Sequence, residues 1–158
     1  MTNFKFKKLM ENKISTVSAT YVEKNNSWVD GNGGSNLEAD MDTNIRILFS
    51  ESMDTSSITV NTIDTDCSGT IQVSKVDGSD DFFKDGFCLQ MSSSPSASNN
   101  NKNFLLDPSG NLTSGTTYKI RVTTGVKDGS GNILDCQNSC DNSTNSYQTA
   151  NGFGAEKY

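Results

Sequence analysis

Leu112-Thr-Ser-Gly-Thr-Thr-Tyr118-Lys-Ile-Arg-Val-Thr-Thr-Gly-Val-Lys-Asp128-Gly-Ser-Gly-Asn132-Ile-Leu134 is the stretch whose reading decides the fold. Tyr118, Ile120 and Val122 alternate with Lys119, Arg121 and Thr123, the period of a strand that buries one face and leaves the other in water. Turns flank it on both sides. Gly115 and Gly131 fit turn positions that need positive φ, Asn132 tolerates the same region, and Asp128 can accept N–H bonds across its own turn. A half-buried strand between tight turns is the unit of an antiparallel sheet.

The pattern repeats outward from there. Ile45, Ile47 and Phe49 alternate with polar neighbours, as do Ile71 and Val73, while Phe87, Leu89 and Met91 share one face and Phe104-Leu-Leu106 enters a short strand. Residues 58–63 read as a strand with Ile58 and Val60 inward, residues 14–22 as an edge strand, and residues 147–153 as the last strand. Residues 30–36 and 92–101 are loops by composition. No helical period of useful length occurs, so the expectation is an all-β, antiparallel sandwich of about seven to nine strands. With 158 residues and only 32% hydrophobic, the chain suits one domain with a thin core, in which each strand buries every second residue. The division expected is a basic tail at 1–13, the sandwich at 14–154 and a short tail at 155–158.

Charge narrows the function. Lys5, Lys7, Lys8 and Lys13 against Glu11 give the first thirteen residues a net +3, so residues 14–158 carry −9 of the total of −6. An acidic body opposes nucleic-acid binding. No apolar run is long enough for membrane insertion. The basic start lacks the apolar segment of a signal peptide, so an exported chain would be a mature form or a fragment. The alternation of Phe4, Phe6 and Leu9 with lysines suits an assembly strand that adds to a neighbouring subunit's open edge.

Four cysteines and no histidine argue against zinc and for disulfides. Of three connectivities, Cys67–Cys88 with Cys136–Cys140 is preferred because each pair flanks a local excursion. Both imply an oxidising compartment; four reduced thiols are the alternative. Absent histidine also removes Ser-His and Cys-His catalysis, and no segment offers an aromatic-lined cleft for a sugar ring, so the chain is read as no enzyme. Asp40, Asp42, Asn44 and Glu51 fall at positions 1, 3, 5 and 12 of an EF-hand loop, but Ile45 stands where that loop needs glycine. A different calcium site, with Asp54 and Asp128 joined by Asp40 or Asp42 at one end of the sandwich, is the sharper expectation. The plainer one is that these residues only make turns.

Asn44-Ile-x-Ile-x-Phe-Ser-Glu-Ser-Met-Asp54 followed by Ser-Ser-Ile-Thr, then Leu112-Thr-Ser-Gly-Thr-Thr-Tyr118, then Gly125-Val-Lys-Asp-Gly-Ser-Gly-Asn-Ile-Leu134, together resemble the bacterial Ig-like domain of the SbsA S-layer type. The resemblance covers about residues 14–154. It implies an extracellular Greek-key Ig-like sandwich, usually one of several modules in cell-surface, S-layer, adhesin-like or secreted-enzyme proteins and not itself catalytic; the strand-like basic start adds a fibre-forming role as an expectation. Its partners would be neighbouring Ig-like domains or identical subunits. The other expectation is a carbohydrate- or ligand-binding accessory module of a secreted enzyme. Tyr118 is expected to pack its ring in the core and bond its hydroxyl to the preceding turn, as a tyrosine corner does.

Overall fold

A computed structural model describes residues 15–76, 78–79, 81–135, 140–141 and 146–157. Two sheets face each other across one apolar core. The strands are β1 (Val17–Lys24), β2 (Ser27–Asp30), β3 (Gly34–Ala39), β4 (Ile45–Phe49), β5 (Ile71–Lys75), β6 (Ser96–Ser98), β7 (Asn103–Leu106), β8 (Thr117–Thr123), β9 (Cys140–Asp141), β10 (Ser146–Gln148) and β11 (Phe153–Ala155). The first sheet has the order β2-β1-β4-β7-β6. In the second, β8 is central: β5 lies along one edge, β10 and β11 share the other, β9 extends from β10, and β3 runs parallel to β11.

Alternation in the sequence becomes burial in the structure. Ile45, Ile47 and Phe49 of β4 and Phe104 and Leu106 of β7 point inward from the first sheet; Ile71, Val73, Tyr118, Ile120, Val122 and Phe153 meet them from the second. Phe49 and Phe104 pack edge to face with centroids 5.7 Å apart, and Tyr118 stacks on Phe153 at 5.7 Å. The all-β sandwich expected from the opening stretch is therefore the fold, with eleven strands among the described residues where about seven to nine were expected.

Several local expectations change. The strand expected at 14–22, whose first residue lies outside the described ones, is not at the edge: β1 runs from Val17 to Lys24 and β2 lies beside it. Asn25 and Asn26 adopt φ of 52° and 58°, which lets the chain reverse in two residues, as such hairpins do. Much of the expected loop at 30–36 is then strand. Residues 58–63 are no strand either. After a 3-10 turn at Thr55–Ser57 the chain makes a single bridge, Val60 to Gly69, and Ile63 is left 85% exposed. The cause is Asn61, whose side chain accepts the Ile63 N–H at 2.9 Å and the Asp64 N–H at 3.2 Å, and donates to Asp66 O at 2.9 Å. A side chain that satisfies nearby backbone in this way competes with a sheet ladder. The last strand is split as well, because a Cβ on Gly152, at φ +66°, would lie 2.0 Å from Tyr118 O. Only a glycine bulge lets β10 and β11 follow the same edge of β8.

Candidate functional site

The strands fix two poles. β1 begins and β4 ends at the pole of Ser15, Asp54 and Asp128; β1 ends and β4 begins at the pole of Asn25, Asp40 and Glu156. Asp40 and Asp42 thus lie at the opposite end of the sandwich from Asp54 and Asp128, which corrects the expectation that either of them joins Asp54 and Asp128 in one calcium site.

At the Ser15 pole, Asp128 is 7% exposed and its carboxylate is fully engaged. Oδ1 accepts the N–H groups of Ser130 at 2.8 Å and Asn132 at 2.9 Å, and Oδ2 accepts Asn132 Nδ2 at 2.9 Å and Ser15 Oγ at 3.3 Å. The Asn132 side-chain bond, with help from backbone N–H groups and Ser15, holds the Asp128 carboxyl below its ordinary pKa although burial works the other way. Gly131 has φ +86° and donates to Asp128 O at 3.0 Å. Asn132 does not adopt positive φ; it is the donor that clamps the carboxylate.

Asp54 is a neighbour in chain register only. Met53 bridges Asp128, and the Asp54 N–H donates to Lys127 O at 2.9 Å. Directly opposed residues share a face and successive residues alternate, so the buried Met53 and Asp128 point one way and Asp54 the other. Asp54 Oδ1 caps the 3-10 turn, accepting the Ser56 N–H at 2.9 Å and Ser56 Oγ at 2.7 Å; those bonds lower its pKa. Both acids are turn-makers here.

At the Glu156 pole, Asp40 accepts the N–H groups of Asn25 at 3.0 Å and Asn26 at 3.3 Å, stapling the β1–β2 hairpin. With Met41, Asp42, Asn111 and Glu156 these residues line an open polar depression of about 470 Å³. Among the described residues no three carboxylates or cysteines converge as a bound metal ion would require.

The remaining expected residues separate cleanly. The Thr113 N–H donates to Tyr118 Oη at 2.9 Å, tying the opening turn of the decisive stretch to its strand. Gly115 turns at φ +66°. Cys67 and Cys88 form a disulfide. Cys136 lies outside the described residues, and of Cys140 only the backbone, in β9, is described. Phe4, Phe6 and Leu9 also lie outside them.

Sequence reasoning picks out Trp28, Tyr21, Phe82 and Phe83 as exposed aromatics but not the cation that covers the first two on the outer face of the first sheet. There the Arg46 guanidinium stacks 4.0 Å from the Trp28 ring centroid and 5.6 Å from that of Tyr21, with Trp28 37% exposed. On the second sheet Lys119 and Arg121 lie over Phe82 and Phe83 at 4.8 and 4.3 Å. The signal for the first cluster was the Asn25-Asn26 turn, which places Trp28 beside β1.

A family model described as a bacterial Ig-like domain matches residues 27–149. No curated protein matches the chain.

Proposed function

Since the chain belongs to the bacterial Ig-like domain family, we propose that it is a non-catalytic structural module of a cell-surface protein of the S-layer, adhesin-like or fibre-forming kind. One geometric observation carries the reading. β1 enters the sandwich from the pole where Ser15 lies beside Asp128 and Asp135, and β11 leaves it towards the opposite pole, where the Glu156 N–H donates to Ala39 O. A sandwich joined to its neighbours at opposite poles spaces them along its own length, whereas one joined at a single pole would hang to the side. The acidic body serves solubility at an exposed surface. Family members of this kind are generally non-catalytic and extracellular, and among the described residues no helix is long and apolar enough to cross a membrane.

Two copies joined in tandem through their own ends and measured by small-angle X-ray scattering test the reading. An elongated pair, with a maximum dimension near twice that of one copy, is expected; a side-by-side pair would reject the spacer role. The second reading, a module that binds carbohydrate, is favoured by Trp28 on the open sheet face, since exposed aromatic rings stack on apolar ligand faces. Binding to a glycan array that Trp28→Ala abolishes would establish it in place of the first.

A further inference from the structure

Two Asn-Gly pairs occur in the chain, Asn32-Gly33 and Asn151-Gly152, and the fold sets one against the other. The first lies in the turn that carries the chain from β2 of the first sheet to β3 of the second; the second lies where β10 gives way to β11. Asn32 Oδ1 accepts the Asn151 N–H at 2.8 Å and the Gly152 N–H at 3.1 Å, and beside them the Gly34 N–H donates to Gly152 O at 2.8 Å. Both partners of that side-chain atom are donors, so it is the amide oxygen and not the nitrogen. Together these bonds clasp the turn after β2 to the bulge before β11.

Two backbone N–H groups converging on one carbonyl oxygen at such distances have the geometry of an oxyanion hole. They draw electron density from Asn32 Cγ and stabilise an oxygen that turns negative when that carbon is attacked. The nucleophile is next in the chain. Gly33 is exposed, has no side chain to block its approach, and spends its N–H on a single 3.2 Å bond to Asp30 O. Asn32 Nδ2, the group that must leave, makes no hydrogen bond among the described residues. Asn151 is the opposite case. The nitrogen that would attack its side chain belongs to Gly152, which is buried and already donates to Asn32.

We propose that Asn32 is a self-modifying site, converted to aspartate through its own backbone, with the Asn151 and Gly152 N–H groups as the oxyanion hole. Hydroxide takes the Gly33 amide proton, and the nitrogen attacks Asn32 Cγ. The new N–Cγ bond closes a succinimide ring as the Cγ–Nδ2 bond breaks, and the departing nitrogen takes a proton from water and leaves as ammonia. A water molecule then adds to Cγ, not to the main-chain carbonyl, because the oxygen on Cγ is the one that faces the two donors. The N–Cγ bond breaks, Gly33 N regains a proton, and an aspartate stands in an unaltered main chain; one water has been consumed and one ammonia released. The new carboxylate accepts the same two N–H groups in charge-assisted bonds, stronger than those of an amide. Asp30, whose Oδ1 accepts the Asn32 N–H at 2.9 Å, sets a like charge beside it, so the modified clasp responds to salt. A spacer and a binding module would carry this site equally.

The test ages the full chain in warm neutral buffer, once folded and once unfolded in guanidinium, and maps its peptides by mass spectrometry with fragmentation that separates aspartate from isoaspartate. Asn151 is the control within the same molecule. In the folded chain Asn32 should convert about tenfold or more faster than Asn151, and faster than Asn32 itself when unfolded, with aspartate as the product. Unfolding should bring the two rates together and yield isoaspartate at both positions. An Asn32 that reacts no faster folded than unfolded, a folded rate no greater than that of Asn151, or isoaspartate as the main folded product would each overturn the proposal.

Discussion

Replacing Asp128 with alanine is the sharpest perturbation of the turn that closes the decisive stretch. The substitution removes an acceptor from two backbone N–H groups, the Asn132 amide and the Ser15 hydroxyl. A hydrogen bond to a charged group contributes about 1.5–3 kcal/mol, but such terms do not add, and water can reach Ser130 and Asn132 once the carboxylate is gone. Buried Ser15 has no such relief. The expected loss is about 2–3 kcal/mol, and about 1 kcal/mol for Asp128→Asn, which keeps one oxygen for the backbone donors. Urea unfolding followed by far-ultraviolet circular dichroism reads this as a midpoint lowered by about 1 M or more at unchanged slope. The pH dependence gives a second reading. Because the folded pKa lies below the ordinary 3.8, the contribution of Asp128 is present above that value and is lost as pH falls through the folded pKa. The gap between the native chain and Asp128→Asn should therefore be constant near neutrality and shrink below pH 3.8. The loss should be the same with calcium or with a chelator, since hydrogen bonds already occupy both oxygens. A loss under about 0.5 kcal/mol for Asp128→Ala would refute the assignment of Asp128 as the turn's organising group.

Three further outcomes follow from the same geometry. Gly152→Ala must move Tyr118 O, so it should cost about 3 kcal/mol or more in unfolding experiments, whereas Gly131→Ala, at φ +86° in open space, should cost about 1 kcal/mol. Tyr118→Phe keeps the stack on Phe153 and loses only the acceptor for Thr113, about 0.5–1.5 kcal/mol; Tyr118→Ala should cost about 3–5 kcal/mol, and equal losses for the two would contradict the corner. A double-mutant cycle between Trp28 and Arg46 should give a coupling of about 0.5–1 kcal/mol, and none if the stack is incidental.

The fold was legible wherever one face of a strand is buried. Ile45, Ile47 and Phe49, or Tyr118, Ile120 and Val122, cannot shift by one residue without exposing the whole set. Where side chains capture the backbone the alternation misleads: residues 58–63 look like a strand until Asn61 is seen to bond the chain around it. The hairpin at Asn25 and Asn26 was written in residue types that tolerate positive φ, yet Asn-Asn is a weaker signal than Asn-Gly. The carboxylates were legible as turn residues and not as a site, because whether Asp54 and Asp128 converge depends on which side of a cross-strand pair each one points. The pairing of Cys67 with Cys88 followed from the loop they close; Phe87, Leu89 and Met91, read as one face of a strand, run beside β5 with only isolated bridges at Cys88 and Met91.

Mechanical extension of the oxidised chain, held through its two ends in an optical trap, tests the structural role most directly. A spacer loaded between the Ser15 and Glu156 poles should resist and then unfold in one cooperative step. The step should lengthen by about 70 Å after reduction, as the chain closed by the disulfide, with a sequence separation of 21, is released at about 3.6 Å per residue less the 5.2 Å that already separates the two Cα atoms. Gradual extension at low force, with no distinct step in the oxidised chain, would contradict the account.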